Sequence, residues 1–416
     1  MGTPTAGKYL SRLMQVSFLQ LIGTFQGILL SVFFFLKSRH RLSNLMLGLY
    51  VFLFSVGLLE DWFVQNSDTS GKRIIAFLIS NSAYLYGPLL YLFIYYLTTS
   101  AYHFNKKHFL HFAPFFIFFS TDLVTFLSGW QPDKFSSDIL EVVGFELLVI
   151  QILIYNILSI RRLTKYHAEM LETYSNIEER DLRWLKRLLV IITCIYIFSF
   201  ALSHLSLFSV QGLGKYFGFI QVMITLCIYL ISYNVLARPG LFLPETGFPA
   251  EKEMETATRS NEDELKPGNR VQENTLNIEK PIQETESVLV SKYRKSGLKP
   301  EHAKKLLTDL QKIMEEEKLF KQPELNIHSL ASIMNISKNH LTQVINEQLQ
   351  MNFFEFINTY RVEEAKKILV NPDYSHLNLQ GIAAEAGYKS KTTFFINFKK
   401  LTGFSPLEWS KQAGNS

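Results

Sequence analysis

The stretch IAAEAGYKSKTTFFINFKKLTGFSP, residues 382–406, decides the fold of the C-terminal part of the chain. Its apolar residues recur at helical spacing on both sides of Gly387, and Ser390 stands where it can cap a second helix. Phe394 and Phe398 are four residues apart and therefore share one face of that helix. The pattern predicts a short helix, a tight turn and a capped helix, which is typical of a helix-turn-helix.

A second version of this pattern lies upstream. Ala331 falls in its predicted first helix, Asn335 in the turn, and Ser337 can cap a helix whose Leu341 faces inward. A single predicted helix, 352–370, joins the two versions. At about 1.5 Å per residue it is roughly 28 Å long. That length would let two recognition helices enter successive major grooves of B-DNA, whose repeat is about 34 Å.

The joining helix and the second unit carry recognisable motif residues. They are Arg361, Glu363, Glu364 and Ala365 in the joining helix, and Ile382-Ala383, Gly387-Tyr388, Phe394, Phe398-Lys399, Gly403 and Pro406 in the second unit. With these residues, 286–412 resembles the DNA-binding domain of the AraC/XylS family of transcription regulators. The upstream segment 292–310 is similar to that of membrane-attached members. The resemblance implies a double helix-turn-helix that binds promoter DNA.

The exposed faces of the two predicted recognition helices carry the candidate DNA contacts. Asn339 and Gln343 lie four residues apart on one face, and each side chain can read adenine bidentately. Phe395 and Ile396 occupy second-helix positions that are often polar, which predicts weak base reading or contacts with thymine methyl groups. The candidates are Lys338, Asn339, His340, Thr342 and Gln343 in the first unit, and Lys391, Thr392, Thr393 and Asn397 in the second, with Lys399 and Lys400 on phosphates.

The N-terminal part of the chain has the composition of a membrane protein. The chain is 48% hydrophobic and 14% aromatic, and the excess lies before residue 240. Apolar runs of about 20 residues are long enough to cross a bilayer as helices. They predict seven spans, at 14–36, 44–63, 74–97, 109–127, 139–160, 188–208 and 216–236.

Basic residues in the loops predict the orientation of these spans. Alternating loops on one side collect most of the Lys and Arg, and the side rich in these residues is normally cytoplasmic. The N-terminus is therefore expected outside, and the region after Arg238 inside, in the inner membrane of a bacterium. We predict three parts: a transmembrane sensor domain (1–240), a flexible acidic linker (241–285) and a DNA-binding domain (286–416).

Ionisable residues within the predicted spans suggest a sensing site. Asp122, Glu146 and His204 fall in the predicted outer half of the membrane, where charged groups usually face protein or water. One interpretation is a pocket for a polar small-molecule or peptide signal, and the other is that the three residues satisfy one another. The segment 167–189, between the fifth and sixth spans, is amphipathic. It either lies on the cytoplasmic membrane surface, which is the favoured interpretation, or couples helix motion to the DNA-binding domain.

These observations predict an all-α, membrane-embedded transcription regulator. Its expected partners are double-stranded promoter DNA, the lipid bilayer, RNA polymerase and an unknown signal, with a homodimer as a further possibility. Neither a metal nor a cofactor is expected, and the sequence offers no nucleophile–base arrangement typical of an enzyme. The alternative is a membrane receptor or transporter whose helical tail docks a protein partner.

Overall fold

The structure is a computed structural model that describes residues 21–36, 42–58, 77–99, 104–128, 134–207, 214–237 and 298–414. Within these ranges every regular element is helical, as the all-α prediction requires, and one isolated antiparallel bridge joins Tyr174 to Asn326. The chain divides into two compact units. The first comprises Met1–His167 and Asp181–Thr246, and the second comprises Ala168–Arg180 and Gly247–Ser416. The predicted linker 241–285 lies outside the described residues.

The helices of the first unit are apolar and mostly long. They are α1 (Leu21–Leu36), α2 (Leu42–Gly57), α3 (Phe77–Leu97), α4 (Ala113–Ser128), α5 (Lys134–Thr173), α6 (Arg183–Leu207) and α7 (Gly214–Ala237), with a 3-10 stretch at Lys106–Phe112. Their shared core includes Leu47 of α2, Phe93 of α3, Leu189 of α6 and Ile231 of α7, each fully buried. The last turns of α5, from Ala168, belong to the second unit.

Three helices of the described part are long and apolar enough to cross a membrane, namely Phe77–Leu97, Val143–Thr173 and Glu178–Leu202. Three shorter apolar helices accompany them, at Leu21–Leu36, Leu42–Gly57 and Thr225–Ala237. Large apolar side chains on these helices point outward, such as Ile154 at 52% exposure and Phe198 at 54%. The seven-span arrangement and its orientation stay predictions.

Hydrogen bonds between polar side chains join helices of the first unit. Asn156 on α5 is buried and donates from Nδ2 to Thr193 Oγ1 on α6 at 3.1 Å. Arg162 on α5 donates from Nε to Thr98 Oγ1 at 2.9 Å, just after α3 ends. Such bonds hold helices together where apolar packing alone does not select partners.

The second unit is built around one central helix. Its helices are α8 (Pro300–Glu316), α9 (Ile327–Ile333), α10 (Lys338–Leu349), α11 (Phe353–Val370), α12 (Leu379–Glu385), α13 (Lys391–Thr402) and α14 (Pro406–Gly414). The predicted joining helix is confirmed as α11, whose 18 residues span about 27 Å. Its N-terminal half packs into a core with α8, α9 and α10, and its C-terminal half packs into a second core with α12 and α13.

Candidate nucleic-acid interface

The turns between α9 and α10 and between α12 and α13 share the same backbone hydrogen bonds. In the first turn, the Asn335 N–H donates to Ser332 O and the Ile336 N–H donates to Ala331 O. In the second turn, the Gly387 N–H donates to Ala384 O and the Tyr388 N–H donates to Ala383 O. Asn335 and Gly387 both have positive φ, at 54° and 93°. The second turn is one residue longer, because Lys389 precedes the cap of α13.

Serine caps begin the second helix of each pair, as the sequence predicted. Ser337 accepts at its Oγ from the His340 N–H at 3.2 Å, and Ser390 accepts from the Thr393 N–H at 3.3 Å. Each cap satisfies one backbone donor of the first turn, where the helix has no internal partner for it. Gly403 ends α13 with a φ of 80°, the left-handed conformation that favours glycine.

The predicted inward anchors of both helices are confirmed. Leu341 and Ile345 of α10 are 0% and 1% exposed in the core with α9 and α11. Phe394 and Phe398 of α13 are both 0% exposed, with ring centroids 5.5 Å apart at 72°. These anchors turn the opposite face of each helix outward.

The outward face of α10 carries the first set of candidate DNA contacts. Asn339 is exposed, whereas Lys338, His340, Thr342 and Gln343 are partly buried. The Gln343 side chain donates to Glu347 Oε2 at 3.1 Å, so this amide is held along the helix. The Thr342 hydroxyl is buried and has no hydrogen-bond partner within the described residues.

The outward face of α13 is more basic. Lys391, Thr392, Lys399 and Lys400 are exposed, and Lys400 pairs with Glu355 of α11 at 2.8 Å. Thr393 is partly buried, and its backbone N–H donates to Ser390 Oγ.

Apolar residues divide between the core and the surface of α13. Phe395 is partly buried against the second core, while Ile396 is 60% exposed. Asn397 is only 5% exposed and faces the core side together with Phe398. A side chain buried to that extent does not reach a base edge, so we leave Asn397 out of the proposed DNA-reading face. Asn397 lies three residues after the inward anchor Phe394 on that side of the helix, and the packing of α13 against the second core buries it.

Arg361 of α11 is the most enclosed charged side chain of the described second unit. It is 1% exposed, and burial lowers its pKa to about 10. The guanidinium donates from Nε to Phe320 O at 2.8 Å and from Nη1 to Ser175 O at 3.1 Å. Arg361 belongs to a motif that is recognisable in the sequence. The residues near it in the sequence do not indicate that Ser175, 186 positions away, is its hydrogen-bond partner.

The ring of Tyr388 lies beside Arg361, with the guanidinium carbon 5.5 Å from the ring centre. The Tyr388 hydroxyl is buried, and within the described residues no group hydrogen-bonds to it. Burial raises the pKa of Tyr388, and the nearby Arg361 charge opposes part of that rise.

The proposed sensing residues lie in the first unit. His204 Nε2 is 3.1 Å from Glu146 Oε1, which joins α6 to α5. Asp122 is an exposed residue of α4. Among the described residues, no group of three or more His, Cys, Asp or Glu side chains could hold a metal ion.

Comparison with known proteins locates the similarity in the second unit. Residues 330–412 match a family described as a helix-turn-helix domain. The uncharacterized HTH-type transcriptional regulator YtdP of Bacillus subtilis is 28% identical over 91 residues, which cover 22% of this chain and 11% of that protein. The uncharacterized HTH-type transcriptional regulator YpdC of Escherichia coli is 30% identical over 91 residues, which cover 22% of this chain and 30% of that protein. The matched region is thus a small part of each relative.

A solved structure is also similar in sequence. It is described as the C-terminal domain of AraT, a response regulator from Geobacillus stearothermophilus. The identity is 27%, the alignment covers 25% of this chain and 84% of that chain, and the TM-score is 0.22.

Proposed function

The C-terminal region of this chain is an AraC-type helix-turn-helix domain, and from that premise we propose that the chain is a membrane-embedded, DNA-binding transcription regulator. The single observation that carries the proposal is the repeated turn geometry. Two helix pairs have matching turn hydrogen bonds and serine caps, and α11 joins them. We infer that both pairs are DNA-binding units and that α11 sets the distance between them.

The two faces suit different parts of the DNA. On α10, Asn339 and Gln343 present amides that match the donor and acceptor pattern of adenine, which favours this helix as the main reader of sequence. On α13, the exposed Lys391 and Lys399 suit DNA phosphates, and the exposed Ile396 suits a thymine methyl group. Specificity would then rest mainly on the helix pair α9 and α10, and affinity on both helix pairs.

The first unit supports the membrane part of the proposal. Its helices are apolar on the outside as well as in the core, which is expected when lipid is the solvent. We propose that these helices are embedded in the inner membrane with the N-terminus outside, and that they respond to a signal. The second unit would lie in the cytoplasm, where it meets promoter DNA and RNA polymerase, as a monomer or as a homodimer.

The test uses the full-length chain reconstituted in lipid nanodiscs. Genomic fragments selected by the protein are footprinted, and affinity for the selected site is titrated with salt. We expect a protected site spanning two successive major grooves and an affinity that falls steeply with salt, because Lys side chains displace counterions from phosphates. Failure to select any DNA sequence would refute the proposal. Extraction of the protein from cell membranes by alkaline carbonate would refute its membrane part.

A further inference from the structure

Residues 172–179, which comprise the last two residues of α5 and part of the link to α6, form a segment that is built into the second unit. Ser175 is 0% exposed, and its N–H donates to Leu325 O at 3.2 Å. Next to it, Tyr174 forms an antiparallel bridge with Asn326, the cap of α9. Ile177 is 7% exposed. The segment therefore packs against residues of the second unit. These contacts differ from the membrane-surface position that its amphipathic sequence favoured.

Arg361 anchors this segment from the centre of α11. Its Nη1 donates to Ser175 O at 3.1 Å and its Nη2 donates to Ser175 Oγ at 3.0 Å. The remaining acceptors are Phe320 O and Gln322 O, at 2.8 and 2.9 Å. A buried guanidinium is stable only when acceptors surround it, so the segment completes the environment of Arg361.

Two glutamates of the segment meet the beginning of α13. Glu178 Oε1 accepts a hydrogen bond at 2.5 Å from Ser390 Oγ, the same hydroxyl that caps this helix. Glu179 lies 3.6 Å from Lys389 Nζ, and Glu324 also pairs with that ammonium group. The segment thus places carboxylates on the residues that precede the second recognition helix.

A third glutamate reaches the first recognition helix. Asn346 of α10 donates from Nδ2 to Glu172 Oε2 at 3.3 Å. Acidic side chains of one segment therefore contact residues of both helices that are proposed to bind DNA.

A DNA phosphate would bind the same donors, the Ser390 hydroxyl and the Lys389 ammonium group. The N-terminus of a helix carries partial positive charge and unpaired N–H groups, which attract anions. In helix-turn-helix proteins such N-termini and neighbouring Lys side chains contact the DNA backbone. A carboxylate at Ser390 and Lys389 would repel an incoming phosphate and occupy its donors.

We propose that the surface formed by Leu325, Arg361, Lys389 and Ser390 is a docking site for the chain's own segment 172–179, and that docking competes with DNA. The inference rests on the proposed function, because it describes how that DNA-binding site is regulated. The segment is covalently continuous with α5 and is followed by α6. A change in these two membrane helices would draw the segment out and free the second recognition helix for DNA.

The first experiment removes one charge from the segment. Glu178→Gln is compared with Glu316→Gln in the full-length protein in nanodiscs, and binding to the selected DNA site is measured. Glu316 is an exposed residue of α8 that pairs only loosely with Lys312, at 3.9 Å, so its substitution makes the same change of net charge away from the segment. We expect Glu178→Gln to raise DNA affinity about tenfold, which corresponds to about 1.4 kcal/mol, and Glu316→Gln to leave it nearly unchanged.

The second experiment locks the segment in place. Tyr174 and Asn326 face each other across the bridge, where Cα atoms are about 4.5–5.5 Å apart, within the range of about 4.4–6.8 Å that a disulfide spans. In the double variant Tyr174→Cys, Asn326→Cys, we expect oxidation to weaken DNA binding at least tenfold and reduction to restore it. Both the oxidised and the reduced form lack the Asn326 cap of α9. Any effect of that loss is therefore the same in both forms and does not change the comparison.

The outcomes separate the two proposals. If the wild-type protein selects no DNA sequence, the proposed function fails. If it does select a site, but Glu178→Gln behaves like Glu316→Gln, the competition is refuted. Equal DNA binding by the oxidised and reduced forms of the double variant would also refute it.

Discussion

Gly387 shows how one residue can control a whole helix pair. Its φ is 93°, and a Cβ added at this position would lie 2.5 Å from Phe320 O and 2.8 Å from Lys321 Cα. Backbone atoms cannot move aside as a flexible side chain can, so both the conformation and the space require glycine.

We predict that Gly387→Ala destabilises α12 and α13 by about 3 kcal/mol or more, since it combines backbone strain with a clash. The matched control is Gly403→Ala, because Gly403 also has positive φ, at 80°, but no atom of the described residues lies within 4 Å of its added Cβ. There the cost should be only the strain of about 1–2 kcal/mol. Hydrogen exchange of the α12 and α13 amides measures both. Equal costs would contradict the steric argument.

Tyr388 tests the opposite case, in which a polar atom is dispensable. Its ring packs against Phe394 at 5.4 Å between centroids, while its buried hydroxyl has no partner in the described part of the chain. We predict that Tyr388→Phe leaves the free energy of unfolding unchanged or raises it by up to about 1 kcal/mol, because an unsatisfied buried group is removed. Chemical denaturation of the full-length protein measures this. A loss of more than about 1 kcal/mol would show that the hydroxyl has a partner.

At the scale of the element, α10 and α13 have the same construction but different exposed chemistry. Their caps and anchors match, yet α10 presents amides while α13 presents lysines and an isoleucine. We predict that Gln343→Ala weakens binding to the selected site by about 1–3 kcal/mol and relaxes the base preference at one position. Gln311→Ala, on the exposed face of α8, is the control. Unchanged preference in the Gln343 variant would remove α10 as the main reader.

Unlike Gln343, Lys391 is expected to contact a DNA phosphate and not a base. Lys391→Ala is expected to weaken binding to all sequences alike and to lower the slope of log affinity against log salt by about 1. Lys305→Ala, an exposed lysine of α8, should leave the slope unchanged. A change in base preference after Lys391→Ala would contradict a backbone contact.

The middle of α11 is tied to the chain before α9 by an ion pair. Glu364 has 10% side-chain exposure and lies 3.0 Å from Lys321 Nζ and 3.3 Å from Lys318 Nζ. Burial alone would raise the pKa of Glu364, but the hydrogen bond and charge of Lys321, together with Lys318, hold it below its ordinary value.

This lowered pKa predicts a pH dependence. The carboxylate stabilises the folded state above its unfolded pKa of about 4.3, and that stability is lost as the pH falls through the lower folded pKa. Glu364→Gln should therefore reduce the free energy of unfolding at pH 7, and the difference from wild type should be smaller at pH 3. Denaturation of both proteins at the two pH values measures it. A difference of the same size in acid would contradict the ion-pair explanation.

At the scale of the whole molecule, the proposed signal must act through the first unit. Its polar contact between His204 and Glu146, at 3.1 Å, joins two helices that flank the docked segment in sequence. We predict that His204→Gln and Glu146→Gln change the response to the signal of a reporter placed under the selected promoter, while the purified variants still bind the selected DNA site. An unchanged reporter response, at equal protein level, would leave the sensing proposal without its main support.

Local sequence determined much of the second unit. The serine caps, the inward Phe394 and Phe398, the turn at Gly387 and the length of α11 follow from helix periodicity and capping, which depend on neighbours within about one turn. The apolar character of the helices before residue 240 could also be predicted from the sequence, because it depends only on which residues each run contains. These features are confirmed within the described residues.

Tertiary structure alone decided the burial of Asn397 and the contacts of the segment 172–179. Asn397 is buried although its position looked suitable for reading bases, because packing against the second core set the rotation of α13. Ser175 completes the environment of Arg361 across 186 positions of sequence. A hydrogen bond between residues that far apart leaves no periodic or compositional trace, so only the folded chain reveals that the segment between α5 and α6 belongs to the second unit.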